Sequence, residues 1–166
     1  MPARFLDRIA SPLLRQVLML AILVAQSSCA RSDDVARDVF GSAAHVETVR
    51  RATTVEAYRI DSTGLEQAWR TATADDYPRL GDAVPVDADV AAELASILTS
   101  PRTYDWSIAK ACAPTPGVGL RFVHRTQQVD ILLCFACDIL GVFAGGPRVG
   151  GEDFDRARPE LVRRKY

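Results

Sequence analysis

The pattern of apolar and polar positions along the chain changes period several times, and each change predicts an element. Between Ser32 and Arg51, Val35, Val39, Ala43, Val46 and Val49 recur at three- and four-residue steps. That is the spacing of one helix face, with Ser32 or Asp33 able to cap the start and Gly41 weakening the middle. Thr53 to Ile60 switches to alternation, with Val55, Ala57 and Arg59 set against Glu56, Tyr58 and Ile60. This predicts a strand, ended by the turn residues Asp61-Ser62-Thr63-Gly64. From Leu65 to Pro85 the pattern is lost: Pro78, Gly81 and Pro85 punctuate an irregular stretch with a short extended piece near Tyr77 to Leu80. Asp87 to Thr99 returns to helical spacing through Val90, Leu94, Ile97 and Leu98, with Asp87 or Asp89 as cap and Pro101 closing it. Tyr104 to Ala113 is a connector carrying Trp106.

The strongest strand signals follow. Val118 to Arg125 alternates Val118, Leu120, Phe122 and His124 with Gly119, Arg121, Val123 and Arg125, and Thr126-Gln127-Gln128 is the expected tight connection. Val129 to Ala144 is apolar almost throughout, interrupted by Asp130 and Asp138. A single strand of that length would run roughly 53 Å at 3.3 Å per residue, too long for a domain of this size. A bulge, bend or turn is therefore expected near Phe135 to Asp138. Gly145-Gly146-Pro147 marks a further turn, and Asp155 to Lys165 reads as a final helix, with Pro159 tolerable near its start. The order predicts an α+β fold: an antiparallel β-meander with helices packed on one face.

The N-terminal end follows a different logic. Arg4, Arg8 and Arg15 precede the uninterrupted apolar run Val17 to Ala25, and the small residues Ser27, Ser28, Cys29 and Ala30 come next. That is the order of a secretory signal peptide. A membrane-spanning helix needs roughly 20 apolar residues, and Arg15 and Gln16 prevent Leu13 and Leu14 from extending the run. Residues 1–29 are thus expected to be a leader, with 30–166 forming a single domain. Cys29 sits where a bacterial lipoprotein carries its lipidated cysteine, although Gln26 departs from the usual leucine. Ordinary cleavage after Ser27 or after Ala30 is the alternative. The expected location is the periplasm, or the cell envelope by a membrane anchor on Cys29.

Charge adds no further partner. The chain has 20 Lys+Arg and 21 Asp+Glu. Arg163-Arg164-Lys165 is the one basic run, and its place at the end of a predicted helix suits the macrodipole. Nucleic-acid binding is unsupported. No protein or small-molecule partner is indicated, and no cofactor is implied.

An exporting leader changes how the cysteines are read, because disulfides persist in oxidising compartments. Cys134-Phe135-Ala136-Cys137 is a C-x-x-C, and Cys112 precedes it. A turn centred on Thr126 to Gln128 sets Cys134 near Gly119 and Cys137 near Pro116, with Cys112 just beyond. A disulfide from Cys112 to Cys134 or Cys137 is then within reach, leaving one thiol as a small buried hydrophobe. Three other readings stay open: all three thiols reduced and buried; thiol–disulfide redox work; and a metal site. The redox reading lacks the helix N-terminus that stabilises a thiolate, since both flanks read as strand. The metal reading would take the three cysteines with His124 or Asp138. His124 is expected opposite Val129, roughly 17 Å along the strand from Cys134. Asp138, not histidine, follows Cys137, which excludes the usual haem attachment.

Other candidates resolve as structure. His45 reads as a surface histidine on the first helix, and His124 as a strand-end residue; neither has a partner at catalytic spacing. Gly145 to Gly151 lacks the Lys-Ser/Thr ending of a phosphate loop. Arg102, Tyr104, Asp105 and Trp106 form an aromatic-polar cluster that packing explains. No catalytic residue is identified.

Lys110-Ala111-Cys112, Pro116-Gly117-Val118, Leu120-Arg121-Phe122 and Val129 to Asp138 (VDILLCFACD) together resemble a family of uncharacterised bacterial exported proteins. The resemblance covers about residues 100–165. It marks the cysteine segment as the family's signature and implies no activity. The expectation is an exported, non-enzymatic domain of structural or binding role whose cysteines staple the meander. The alternative is a thiol-redox or metal-binding envelope protein using Cys112, Cys134 and Cys137.

Overall fold

The structure is a computed structural model that describes residues 33–63, 65, 69, 71–107 and 112–155. The expected leader, Cys29 and most of the expected C-terminal helix lie outside these residues. Six antiparallel strands form one sheet: β1 (Thr54–Arg59), β2 (Val84–Pro85), β3 (Val118–His124), β4 (Gln127–Cys134), β5 (Ile139–Phe143) and β6 (Arg148–Asp153). Their spatial order is β2-β1-β3-β4-β5-β6, so β3 to β6 form a meander and β1 pairs on its other side. Two α-helices, α1 (Ala43–Arg50) and α2 (Ala88–Leu98), complete the α+β fold.

Strand alternation explains why β5, and β4 from Val129 on apart from Asp130, are apolar on both faces. One face carries Val55, Leu120, Phe122, Val129, Ile131, Leu140 and Val142, which pack with Val46, Val49, Ala95 and Leu98 of the helices. The other face carries Tyr58, Leu132, Cys134, Ile139 and Phe143, covered by Trp69, Ala72, Ala74 and Tyr77 from the irregular segment after β1. Both faces are buried, so neither has a solvent side to encode in polar residues. The segment that breaks the sequence pattern, around residues 65–83, is the lid of this second core. A reciprocal cap between Thr73 and Asp76 shapes its short 3-10 turn, Ala74–Asp76.

The first predicted helix is two elements. A π-helical turn, Val35–Val39, closes with Phe40 N donating to Val35 O at 3.1 Å. The break comes at Gly41, whose φ of +69° favours glycine. A Cβ there would also lie 2.7 Å from the Val149 carbonyl oxygen. α1 restarts at Ser42, whose hydroxyl accepts from His45 N at 3.2 Å. His45 is half-buried, and its Nδ1 lies 2.7 Å from the Phe40 carbonyl, so it ties the break together instead of facing solvent.

Two further differences concern the meander. The β3–β4 turn is Arg125-Thr126, with Arg125 at φ +56°, and His124 pairs with Gln127. The connection therefore lies closer to β3 than Thr126 to Gln128 would place it, and His124 does not oppose Val129. The faces are unchanged by this shift, but every cross-strand partner is different. The Gly-rich stretch after the expected turn at residues 145–147 is strand β6. Gly150 passes beneath the π-helical turn so closely that a Cβ would sit 2.3 Å from Val39 O. These glycines are close-approach residues of an edge strand. The break between β4 and β5 falls at Phe135 to Asp138, with Asp138 at φ +57°.

Candidate functional site

The cysteines meet at one end of the meander. The sulfurs of Cys112 and Cys137 are at bonding distance, with their Cα atoms 6.2 Å apart, inside the span a disulfide needs. Cys112 is exposed and Cys137 is buried in the β4–β5 turn. The residues between Cys112 and β3 run beside the end of β4, where Gly117 N donates to Leu133 O at 3.1 Å. The bond thus ties the entry of β3 to the turn that leaves β4. Cys134 does not take part: it ends β4, pairs with Ile139 and is fully buried as a free thiol. The C-x-x-C is not itself the bonded pair, and neither of its cysteines begins a helix.

The structure separates the remaining metal candidates. His124 lies at the opposite end of the hairpin, seven residues of β4 away from Cys134 when measured from its partner Gln127, or roughly 23 Å. Asp138 shapes the turn with its backbone, its carbonyl accepting from Phe154 N at 2.8 Å. Among the described residues, no three His, Cys, Asp or Glu side chains converge as a metal-binding group. The Arg102 to Trp106 cluster is packing: the Tyr104 hydroxyl donates to Leu98 O, and Trp106 Nε1 donates to Pro101 O at 2.9 Å.

Sequence reasoning missed a second constellation, on the face covered by residues 65–83. Asp130 is 2% exposed and its carboxylate accepts four hydrogen bonds. Arg121 donates from Nε to Oδ1 at 2.7 Å and from Nη2 to Oδ2 at 3.3 Å. Gln128 Nε2 donates to Oδ2 at 2.7 Å and Tyr58 OH to Oδ1 at 3.1 Å. Arg121 reaches on to Asp75 at 2.8 Å, and the Arg79 guanidinium stacks 4.1 Å above the Tyr58 ring. Burial by itself would weaken the Arg121 charge; the hydrogen bonds it donates to Asp130 and Asp75 outweigh this and hold the guanidinium firmly protonated. Every lone-pair direction of the carboxylate is occupied, so this cluster is built to lock the sheet to its lid. The signal for it is the register: Arg121 and Asp130 are directly opposite only when the turn is Arg125-Thr126.

The cluster makes two predictions. Gly119 is the space into which the Tyr58 ring fits, since a Cβ there would lie 2.3 Å from the ring. Gly119→Ala should cost about 1–3 kcal/mol in urea unfolding, by displacing Tyr58 from Asp130. Gly117→Ala, in open space, should stay within about 0.5 kcal/mol of the parent; equal costs would contradict this packing.

The second concerns alkaline pH. Burial, then the charge of Asp130, pushes the Tyr58 phenol well above its ordinary range. Burial raises Tyr77 and, with Glu152, Tyr104 in the same direction. A folded pKa above the unfolded one gives stability that is complete below about pH 10 and is lost as pH rises toward the folded values. Tyrosinate absorbance from these three residues should therefore appear together with the loss of circular dichroism. Their ionisation in a still-folded chain would contradict this.

No protein-family model, no curated protein and no solved structure matches this chain.

Proposed function

We propose that the chain is an exported, non-enzymatic envelope domain, of structural or binding role, in which a Cys112–Cys137 disulfide staples the meander. The observation that carries this reading is the Cys112–Cys137 pair itself, at bonding distance with Cys112 exposed. An exposed bond of this kind persists in an oxidising compartment, the one to which the expected leader before Cys29 points. A lipid on Cys29 would hold the domain at a membrane face; among the described residues no helix is long and apolar enough to cross one. The buried and bonded Asp130 cluster supports a structural role over a catalytic one, because it leaves no carboxylate oxygen for a substrate.

Mass spectrometry of the mature protein from its native host tests this. The expected result is a chain lacking residues 1–28, a diacylglyceryl mass on Cys29, one disulfide between Cys112 and Cys137, and one thiol, Cys134, alkylated only after denaturation. Retention of the leader, or three freely alkylated thiols in air-oxidised native protein, would overturn the proposal.

A further inference from the structure

The two halves of the Cys112–Cys137 pair differ in exposure, and that decides which sulfur an incoming thiol can touch. Cys112 and its neighbour Ala113 are exposed, whereas Cys137 is 7% exposed and belongs to the core that holds Cys134, Ile139 and Phe143. The segment carrying Cys112 is held in place: Pro114 and Pro116 are buried, and Gly117 N donates to Leu133 O at 3.1 Å. The turn carrying Cys137 is held as well. The Asp138 carbonyl accepts from Phe154 N at 2.8 Å, and Phe135 packs edge-on against Phe154 with ring centroids 6.1 Å apart. Small movements of the connector therefore leave Cys137 covered while Cys112 stays open to solvent.

Thiol–disulfide exchange proceeds by attack of a thiolate on one sulfur while the other departs, so both access and the leaving sulfur matter. The two act in opposite directions here. A thiolate departs more readily into water, which would favour Cys112 as the leaving sulfur and attack on Cys137. Access favours attack on Cys112. Access prevails, because a sulfur that the nucleophile cannot touch does not react however good its partner is at leaving.

Building on the disulfide of the reading above, we propose that Cys112 is a site of S-thiolation, where a small-molecule thiol is taken up as a mixed disulfide. The incoming thiolate attacks Cys112 Sγ. A new S–S bond forms there as the Cys112–Cys137 bond breaks, and Cys137 departs with the electron pair and takes a proton from water. No oxidant is consumed. Attack of Cys137 on the mixed disulfide reverses the step, expels the small thiol and restores the staple. The staple thus opens from the Cys112 side, releasing the entry of β3 from the β4–β5 turn, and Cys134 takes no part.

Reduced glutathione is the probe. The air-oxidised mature protein is sampled during incubation with it, quenched in acid, alkylated and peptide-mapped beside an untreated sample. Cleavage after Lys110 and Arg121 separates Cys112 from the C-x-x-C, and fragmentation distinguishes Cys134 from Cys137. Glutathione on Cys112 with Cys137 alkylated should exceed the reverse product by about tenfold. Cys134→Ala should form the same product at the same rate. As much glutathione on Cys137 as on Cys112 would overturn the proposal. So would native protein that forms no adduct until denatured, or a Cys112 adduct that Cys134→Ala abolishes. If the untreated sample shows the Cys112–Cys137 bond, those outcomes leave the structural reading standing; an untreated sample without that bond removes both.

Discussion

Asp130→Ala should destabilise the domain by about 3–5 kcal/mol, the usual cost of removing one partner of a buried ion pair. Asp130 is 2% exposed and Arg121 17%, so the guanidinium left behind has little water to replace its two lost hydrogen bonds. Arg121 keeps Asp75 at 2.8 Å, a carboxylate on a side chain that is 75% exposed, which places the expected value toward the lower end. The Tyr58 hydroxyl and the Gln128 amide also lose their acceptor. For a domain of this size the melting temperature should fall by about 10–15 °C. Arg121→Met/Asp130→Leu removes both charges and should recover most of that loss, because apolar replacements of similar volume carry no stranded charge. Thermal and urea unfolding of the three proteins test this. A double variant as unstable as Asp130→Ala would show that the cost lies in packing and not in charge.

Losing the Cys112–Cys137 bond should cost about 3.5 kcal/mol, from the entropy that a loop of 25 residues regains in the unfolded chain. Reduction of the parent and Cys112→Ala should lower the urea midpoint alike, and reductant should have no further effect on Cys112→Ala. Cys134→Ala should keep the bond and its response to reductant, since Cys134 is the free thiol. If Cys134→Ala instead abolished the response, the staple would run from Cys112 to Cys134.

Much of the architecture was legible because it follows from side-chain period. The strand at Val55 to Tyr58, the helix closed by Pro101, the meander and its break at Phe135 to Asp138 all follow from apolar spacing interrupted by turn residues. The segment around 65–83 was not legible, because it has no repeating face of its own. Trp69, Ala72, Ala74 and Tyr77 are buried by a sheet face contributed from elsewhere in the chain. Strand β6 was hidden by its glycines, which in sequence signal turns and in the fold permit contact with Val39 and Leu140.

The cysteines and the Asp130 cluster divide in the same way. Their residue types, and the face each strand residue occupies, are properties of the local sequence, because a β-strand alternates whatever it pairs with. Which cysteine bonds to Cys112, and which residue faces Asp130, depends on where one turn closes. A register shifted by two residues keeps every side chain on its face while changing each partner. The sequence by itself therefore determined an antiparallel meander with helices on one face and a cysteine cluster at one end of it. Only the tertiary structure, by closing the hairpin at Arg125-Thr126 and folding residues 65–83 over the second face, selected Cys137 over Cys134 and set Arg121 against Asp130.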